Sequence, residues 1–150
     1  MENTSKINVM DLKIGQSFLS DKTEMKKENM IEFAKEFDPQ PFHVDEEAGK
    51  DSFFRTLAAS GWHSAGVTMN LMINSFPIEH GIVGSNIELK WTKPVVPGDI
   101  LQVKTTVTDI YQSTSKPNNV FLTLKTETFN QDKEVCQILV SHVLAFKEKP

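Results

Sequence analysis

The sequence is poor in the residues that most often announce chemistry. It has a single cysteine, Cys136. No internal disulfide can form, which excludes a disulfide-stapled secreted scaffold. Cys136 sits in the apolar run Val135-Cys136-Gln137-Ile138-Leu139-Val140, where the expectation is a buried, inert thiol. No HExxH or comparable ligand spacing occurs, so no metal is expected. There is no Gly-x-Ser-x-Gly elbow and no glycine-rich phosphate loop, and no cofactor is called for. Lys and Arg do not cluster, and the formal net charge is -4. Neither a nucleic-acid groove nor an anionic membrane surface is expected as a partner. The opening stretch MENTSKINVMDLKIG lacks an apolar core of the signal-peptide kind. With the thiol compatible with a reducing compartment, the expectation is a cytoplasmic protein.

One stretch imitates a membrane span. Positions 56 to 78 carry no formal charge, enough residues to cross a bilayer. Yet Ser60, His63, Ser64, Thr68, Asn70 and Asn74 interrupt it, with glycines at 61 and 66. It reads as a buried helix of a globular protein.

What is present fits one ordinary domain over residues 1–150: 39% hydrophobic and 24% charged residues, with no repeat or linker. Residues 16 to 23 read as a short strand. Over 27 to 37, Met30, Ile31, Ala34 and Phe37 recur at helical spacing, with Asp21 or Thr23 placed to cap the start. Pro39 and Pro41 stop this helix, because proline lacks an amide proton and restricts its predecessor. Asp45 opens a short acidic helix, Glu46-Glu47-Ala48-Gly49, its charges suited to a helix N-terminus. The uncharged helix runs from Gly61 to about Phe76. Trp62, Ala65, Met69, Met72, Ile73 and Phe76 line one side, and Val67 and Leu71 cover much of the rest. A helix apolar nearly all round should be wrapped by other elements.

The second half turns to period-two alternation: Ile87, Leu89 and Trp91; Leu101, Val103, Thr105 and Val107; Val120, Leu122 and Leu124; then Ile138, Val140, Leu144 and Phe146. Turns fall at Pro97-Gly98-Asp99, at 116–119 and at Asn130-Gln131-Asp132. Alternation of this kind predicts an antiparallel sheet with one covered face. Sheet and apolar helix together predict an α+β architecture, the sheet curling around the helix.

Candidate chemistry lies in Asp38-Pro39-Gln40-Pro41-Phe42-His43. Two prolines stiffen the segment, so a carboxylate and an imidazole are held in fixed directions at low entropic cost. Such a pair, meeting at one point, can hold a water and move its proton. Phe37 and Phe42 would exclude solvent and tune both groups. Spacing alone equally permits a capping Asp and a His that satisfies local backbone. Ser60-Gly61 offers free helix N-terminal amides to a developing oxyanion, or simply a cap and a packing glycine. Of the other histidines, His63 reads as structural, His80 as an exposed turn residue, and His142 as a core or interface residue.

These segments together resemble the MaoC-like family of R-specific enoyl-CoA hydratases. The run FAKEFDPQPFHVDEEAG resembles the family's hydratase motif Asp-x-Asn-Pro-x-His. LAASGWHSAGVTMNLM resembles its central helix, and IELKWTKPVVPGDIL the strand, Pro-Gly-Asp turn and strand that follow. The three stand in the family's order and span most of the chain. The resemblance implies a single hot-dog domain: an antiparallel sheet wrapped around one long central helix, commonly a homodimer or dimer of dimers. It implies hydratase or dehydratase action on an enoyl or 3-hydroxyacyl thioester of CoA or acyl-carrier protein. Asp38 and His43 would activate the water, and the Gly61 amide would hold the thioester carbonyl. Two positions depart from the pattern. Gln40 replaces the motif's Asn, and Met69 stands where the family has a serine on the central helix. Arg55, Lys90 and Lys93 are candidate cations for the phosphates of CoA. Two other readings remain, a thioesterase on the same fold and a non-catalytic acyl-thioester-binding subunit.

Overall fold

The computed structural model describes residues 5–150; the first four residues of the stretch read as lacking a leader lie outside the described residues. After a 3-10 turn at Val9–Asp11 come β1 (Ser17–Glu24), α1 (Lys27–Phe37), α2 (Pro41–Val44), α3 (Glu46–Lys50) and α4 (Gly61–Ser75). Four strands follow: β2 (Val83–Trp91), β3 (Ile100–Gln112), β4 (Asn119–Phe129) and β5 (Val135–Phe146). They form one five-stranded sheet in the order β1-β3-β4-β5-β2, antiparallel throughout. The sheet's concave side holds α4, which packs on β1 and β3.

Burial on β3 and β4 follows the predicted alternation. Leu101, Val103, Thr105 and Val107 point inward, as do Val120, Leu122 and Leu124. They meet Leu71, Met72 and Phe76 from the helix, with Met30 of α1 closing one end. Phe18 of β1 sets its ring edge to face against Phe76, centroids 5.0 Å apart, a favoured aromatic geometry.

Several expectations need correction. On β2, Ile87 and Trp91 of the predicted alternation stay exposed, because the strand lies at the sheet's edge. On β5 the covered residues are Gln137, Leu139, Ser141, Val143 and Ala145, one position out of step with the predicted set Ile138, Val140, Leu144 and Phe146. Both faces of that strand are largely apolar, so alternation cannot fix its register. His142 consequently faces outward and meets Thr123 Oγ1 at 3.1 Å. On α4 the buried residues are Ser64, Thr68, Leu71 and Met72. Trp62, Met69 and Ile73 are 61%, 39% and 42% exposed, so the helix is wrapped on one side only. At α1, Phe37 is exposed. Its cap position is Lys26, with no side-chain cap, because β1 runs on to Glu24 and keeps Asp21 and Thr23 in the strand.

Other expectations hold. Asp45 caps α3, accepting from the Ala48 amide at 2.8 Å. His80 is exposed, in a turn with φ of 66°. Cys136 is buried, and burial pushes its thiol up to about 11. No helix among the described residues is long and apolar enough to cross a membrane.

Candidate active site

The site is assembled where the chain leaves α1. The Asp38 amide donates to Ala34 O at 2.8 Å and ends the helix. The Gln40 amide returns to Asp38 O, and the His43 amide to Gln40 O. Pro41 occupies the first position of α2, where its lack of an amide proton costs nothing. His43 is thus presented by a short helical turn rather than by a loose loop. Residues 58–60 run back beside it. The Ala58 amide donates to Phe42 O at 3.0 Å, and the Ala59 amide to Val95 O at 2.8 Å.

Three hydrogen bonds orient the pair. His43 Nδ1 donates to Ala58 O at 2.6 Å. The carbonyl can only accept, so the neutral ring carries its proton on Nδ1 and keeps the Nε2 lone pair free. Nε2 faces Asp38 Oδ2 at 3.4 Å. Asp38 Oδ2 also accepts from Ser60 Oγ at 2.7 Å, and Oδ1 from Gln40 Nε2 at 2.7 Å. Burial raises the Asp38 carboxyl pKa. The hydrogen bonds from Gln40 and Ser60 and the nearby His43 more than offset that, and hold it below the usual carboxylate value. Asp38 is therefore an ionised acceptor with both oxygens engaged. His43, buried with a free lone pair, is the better proton acceptor.

Ser60 has a second effect. Its hydroxyl goes to Asp38, so it does not cap α4. Among the described residues no acceptor takes the amides of Gly61 and Trp62, the donors that a helix start leaves over. Gly61, Asp38, His43 and Gln40 all line one cavity of about 670 Å³. Its walls are largely apolar, with Phe42, Phe54, Trp91 and Val95 prominent. Phe42 sets its ring edge against His43, centroids 4.6 Å apart.

Asp38, Gln40, His43, Ser60 and Gly61 are thus brought together. Met69 is not: it lies outside the cavity lining, on the outer side of α4. Of the candidate cations only Lys93 lines the cavity, paired with Glu134 at 3.2 Å. His63 stacks on Phe33 at 4.7 Å, and burial lowers its pKa. Sequence reasoning missed Ser64, Phe54 and Trp91. Ser64 lies one turn beyond Gly61 on a helix judged by its apolar residues. Trp91 was read as one more apolar strand residue, although an indole N–H needs an acceptor and so signals a specific contact.

An antiparallel sheet curled on one long helix, with the site at the helix start, is the hot-dog fold. The chain belongs to the MaoC-like domain family, whose model matches residues 10–129. The MaoC-like dehydratase from Rhodospirillum rubrum is 43% identical, with a TM-score of 0.92 over 96% of this chain and 99% of that one. Protein YdeM of Bacillus subtilis (strain 168) is 34% identical over 130 residues, 81% of this chain and 86% of its own. The unliganded R-hydratase PhaJ1 from Pseudomonas aeruginosa, at 22% identity, shares the fold with a TM-score of 0.77 over 95% of this chain and 88% of its own.

Proposed function

We propose that this protein is a hydratase/dehydratase of enoyl and (R)-3-hydroxyacyl thioesters, acting as a single hot-dog domain in each subunit. The observation that carries this reading is the pairing of His43 Nε2 with Asp38 Oδ2 at 3.4 Å in a largely apolar cavity that Gly61 also lines. Two acceptors aimed at one point hold a water by both its protons and leave its lone pairs for the substrate. As the water oxygen bonds to C3 of the enoyl group, His43 Nε2 takes one proton. The electron pair of the C2–C3 double bond moves towards the thioester, whose oxygen becomes enolate-like. The Gly61 N–H steadies that oxygen, a contact typically worth about 3 kcal/mol. His43, its positive charge supported by Asp38, then returns a proton to C2. The sum is addition of one water, and every step reverses for dehydration.

Gln40 retains the amide of the motif's Asn and spends it on Asp38. That supports a kept carboxylate geometry despite the longer side chain. A homodimer belongs to the same reading. It is supported by β2, which has a strand partner on one side only and exposes Val83, Ile87 and Trp91, and by the outer stripe of α4. The buried thiol of Cys136 is compatible with a cytoplasmic setting. The carrier is CoA or acyl-carrier protein, and Lys93 is the cation placed to meet a phosphate of either.

The test is loss of enoyl absorbance on mixing with enoyl-CoA substrates of increasing chain length, with the configuration of the product determined. Release of free thiol without hydration would instead make the protein a thioesterase. Binding without turnover at every chain length would make it a non-catalytic acyl-binding subunit.

A further inference from the structure

The hydrogen bonds behind the Gly61 amide form a directed chain. Trp91, the last residue of β2, donates its indole Nε1–H to Gly61 O and to Gln137 Oε1, both at 3.1 Å. Indole only donates, which fixes which end of the Gln137 amide faces it. Gln137 Nε2 therefore points the other way and donates to Thr68 Oγ1 at 3.0 Å. Thr68 Oγ1, already an acceptor, lies 2.6 Å from Thr128 Oγ1. Gln137, Thr68 and Thr128 are all 0% exposed. A wholly buried glutamine and two threonines are a costly way to fill a core, and such a network rigidifies what it holds. What it holds is the Trp91 ring.

That ring lies directly against Gly61. A Cβ at position 61 would collide with Cε2, Cζ2 and Nε1 of Trp91. Glycine is the most conformationally permissive residue, and here it occupies the first position of a helix whose cap residue gives its hydroxyl to Asp38. The three nearest atoms on that side all belong to Trp91. We propose that Trp91, aimed by Gln137, is a positioning residue: its ring lies against Gly61 and its N–H holds Gly61 O in the 61–62 peptide, which restrains rotation at residue 61 and so keeps the Gly61 N–H, in the 60–61 peptide, pre-aligned for the substrate's thioester oxygen. This inference rests on the hydratase reading above. Trp91 touches no reacting atom in it and works through Gly61.

Trp91→Phe keeps the ring against Gly61 and removes the N–H. The hydration kcat falls between about 10- and 100-fold, the scale of misplacing one group. KM stays within about twofold, and the pH profile keeps its shape. A spectroscopic readout separates the clamp from general loosening. An aryl-conjugated enoyl-CoA bound to Asp38→Asn protein shifts its absorbance to longer wavelength as the carbonyl is polarised. Adding Trp91→Phe shrinks that shift. Gln137→Met is the second variant, leaving the indole without its buried acceptor; it lowers kcat in the same manner but less. An unchanged kcat and an unchanged spectral shift in Trp91→Phe would overturn the clamp. Should Trp91→Phe fail to fold, an unchanged kcat in Gln137→Met overturns it instead. If the unaltered protein hydrates no enoyl thioester, the functional reading fails first; if it does and only the variants disappoint, the clamp alone fails.

Discussion

Along α4, the side turned towards the sheet carries Ser64 and Thr68 beside Leu71 and Met72, while the outer side carries Trp62, Met69 and Ile73. The inner side mixes hydroxyls with large apolar groups, and the outer side keeps large apolar groups exposed, whereas an ordinary surface helix keeps its outer side polar. The inner side tolerates its polar groups because Thr68 is hydrogen-bonded to Gln137 and Thr128. On the outer side Trp62 meets Trp91 of β2, ring centroids 5.4 Å apart, while Met69 and Ile73 stay exposed. One face is completed by hydrogen bonds within the chain; the other leaves Met69 and Ile73 exposed.

The comparison can be broken most sharply at the site that the inner face supports. His43→Ala or Asp38→Asn should lower hydration by about 100- to 10,000-fold while the far-ultraviolet dichroism is kept. Full activity in both folded variants would remove their assigned roles. Gly61→Ala comes next. The methyl must displace the Trp91 ring, so denaturant titration should show a loss of about 1–3 kcal/mol, the usual cost of overpacking. Activity should fall with it. Thr68→Val keeps the shape but strands the amide of Gln137. Calorimetry should show a stability loss within about 1–3 kcal/mol, the cost of a buried unsatisfied donor, and no loss at all would mean that the inner polar chain is dispensable. On the outer face, Met69→Lys with Ile73→Lys should leave the monomer folded and shift its sedimentation towards the single subunit. An unaltered sedimentation coefficient in a dimeric background would show that this face is not the contact.

The mildest effect concerns acidity. The Asp38 carboxyl ionises at lower pH in the folded chain than in an ordinary peptide. Its contribution to stability is therefore complete above the ordinary carboxylate range and is lost as pH falls through the lower folded value. Asp38→Asn should flatten that acid limb in a pH series of melting temperatures. An acid limb as steep as in the unaltered protein would assign it to other carboxylates.

The same contrast explains what could be read from sequence. The inward residues of β3 and β4 are legible because their opposite faces are polar: Gln102 and Lys104 beside Leu101 and Val103, Thr123 and Lys125 beside Leu122 and Leu124. On β5 and α4 both faces are apolar, and periodicity has nothing to choose between. Gln137 was invisible for a related reason, since a glutamine in a strand reads as outward until its partners are known. Asp38, Gln40, His43, Ser60 and Gly61 were legible as a set because the prolines, the motif order and the helix start lie close together in the chain. Trp91 comes from a distant strand, and only the folded arrangement brings it to Gly61.

Residues 58–60 have a consequence for how this molecule can change length. Three neighbouring residues grip three separate things: Ala58 O holds His43, the Ala59 amide holds Val95, and Ser60 holds Asp38. Just upstream, a Cβ at Gly49 would collide with the backbone of Thr56 and Leu57, so that crossing is also fixed. Between them lies 51–56, where Phe53 is 91% exposed. Phe54, in the same stretch, lines the cavity and packs on Phe42. One residue added or removed at 58–60 would put each grip out of phase at once, so this stretch fixes the spacing of His43, Val95 and Asp38.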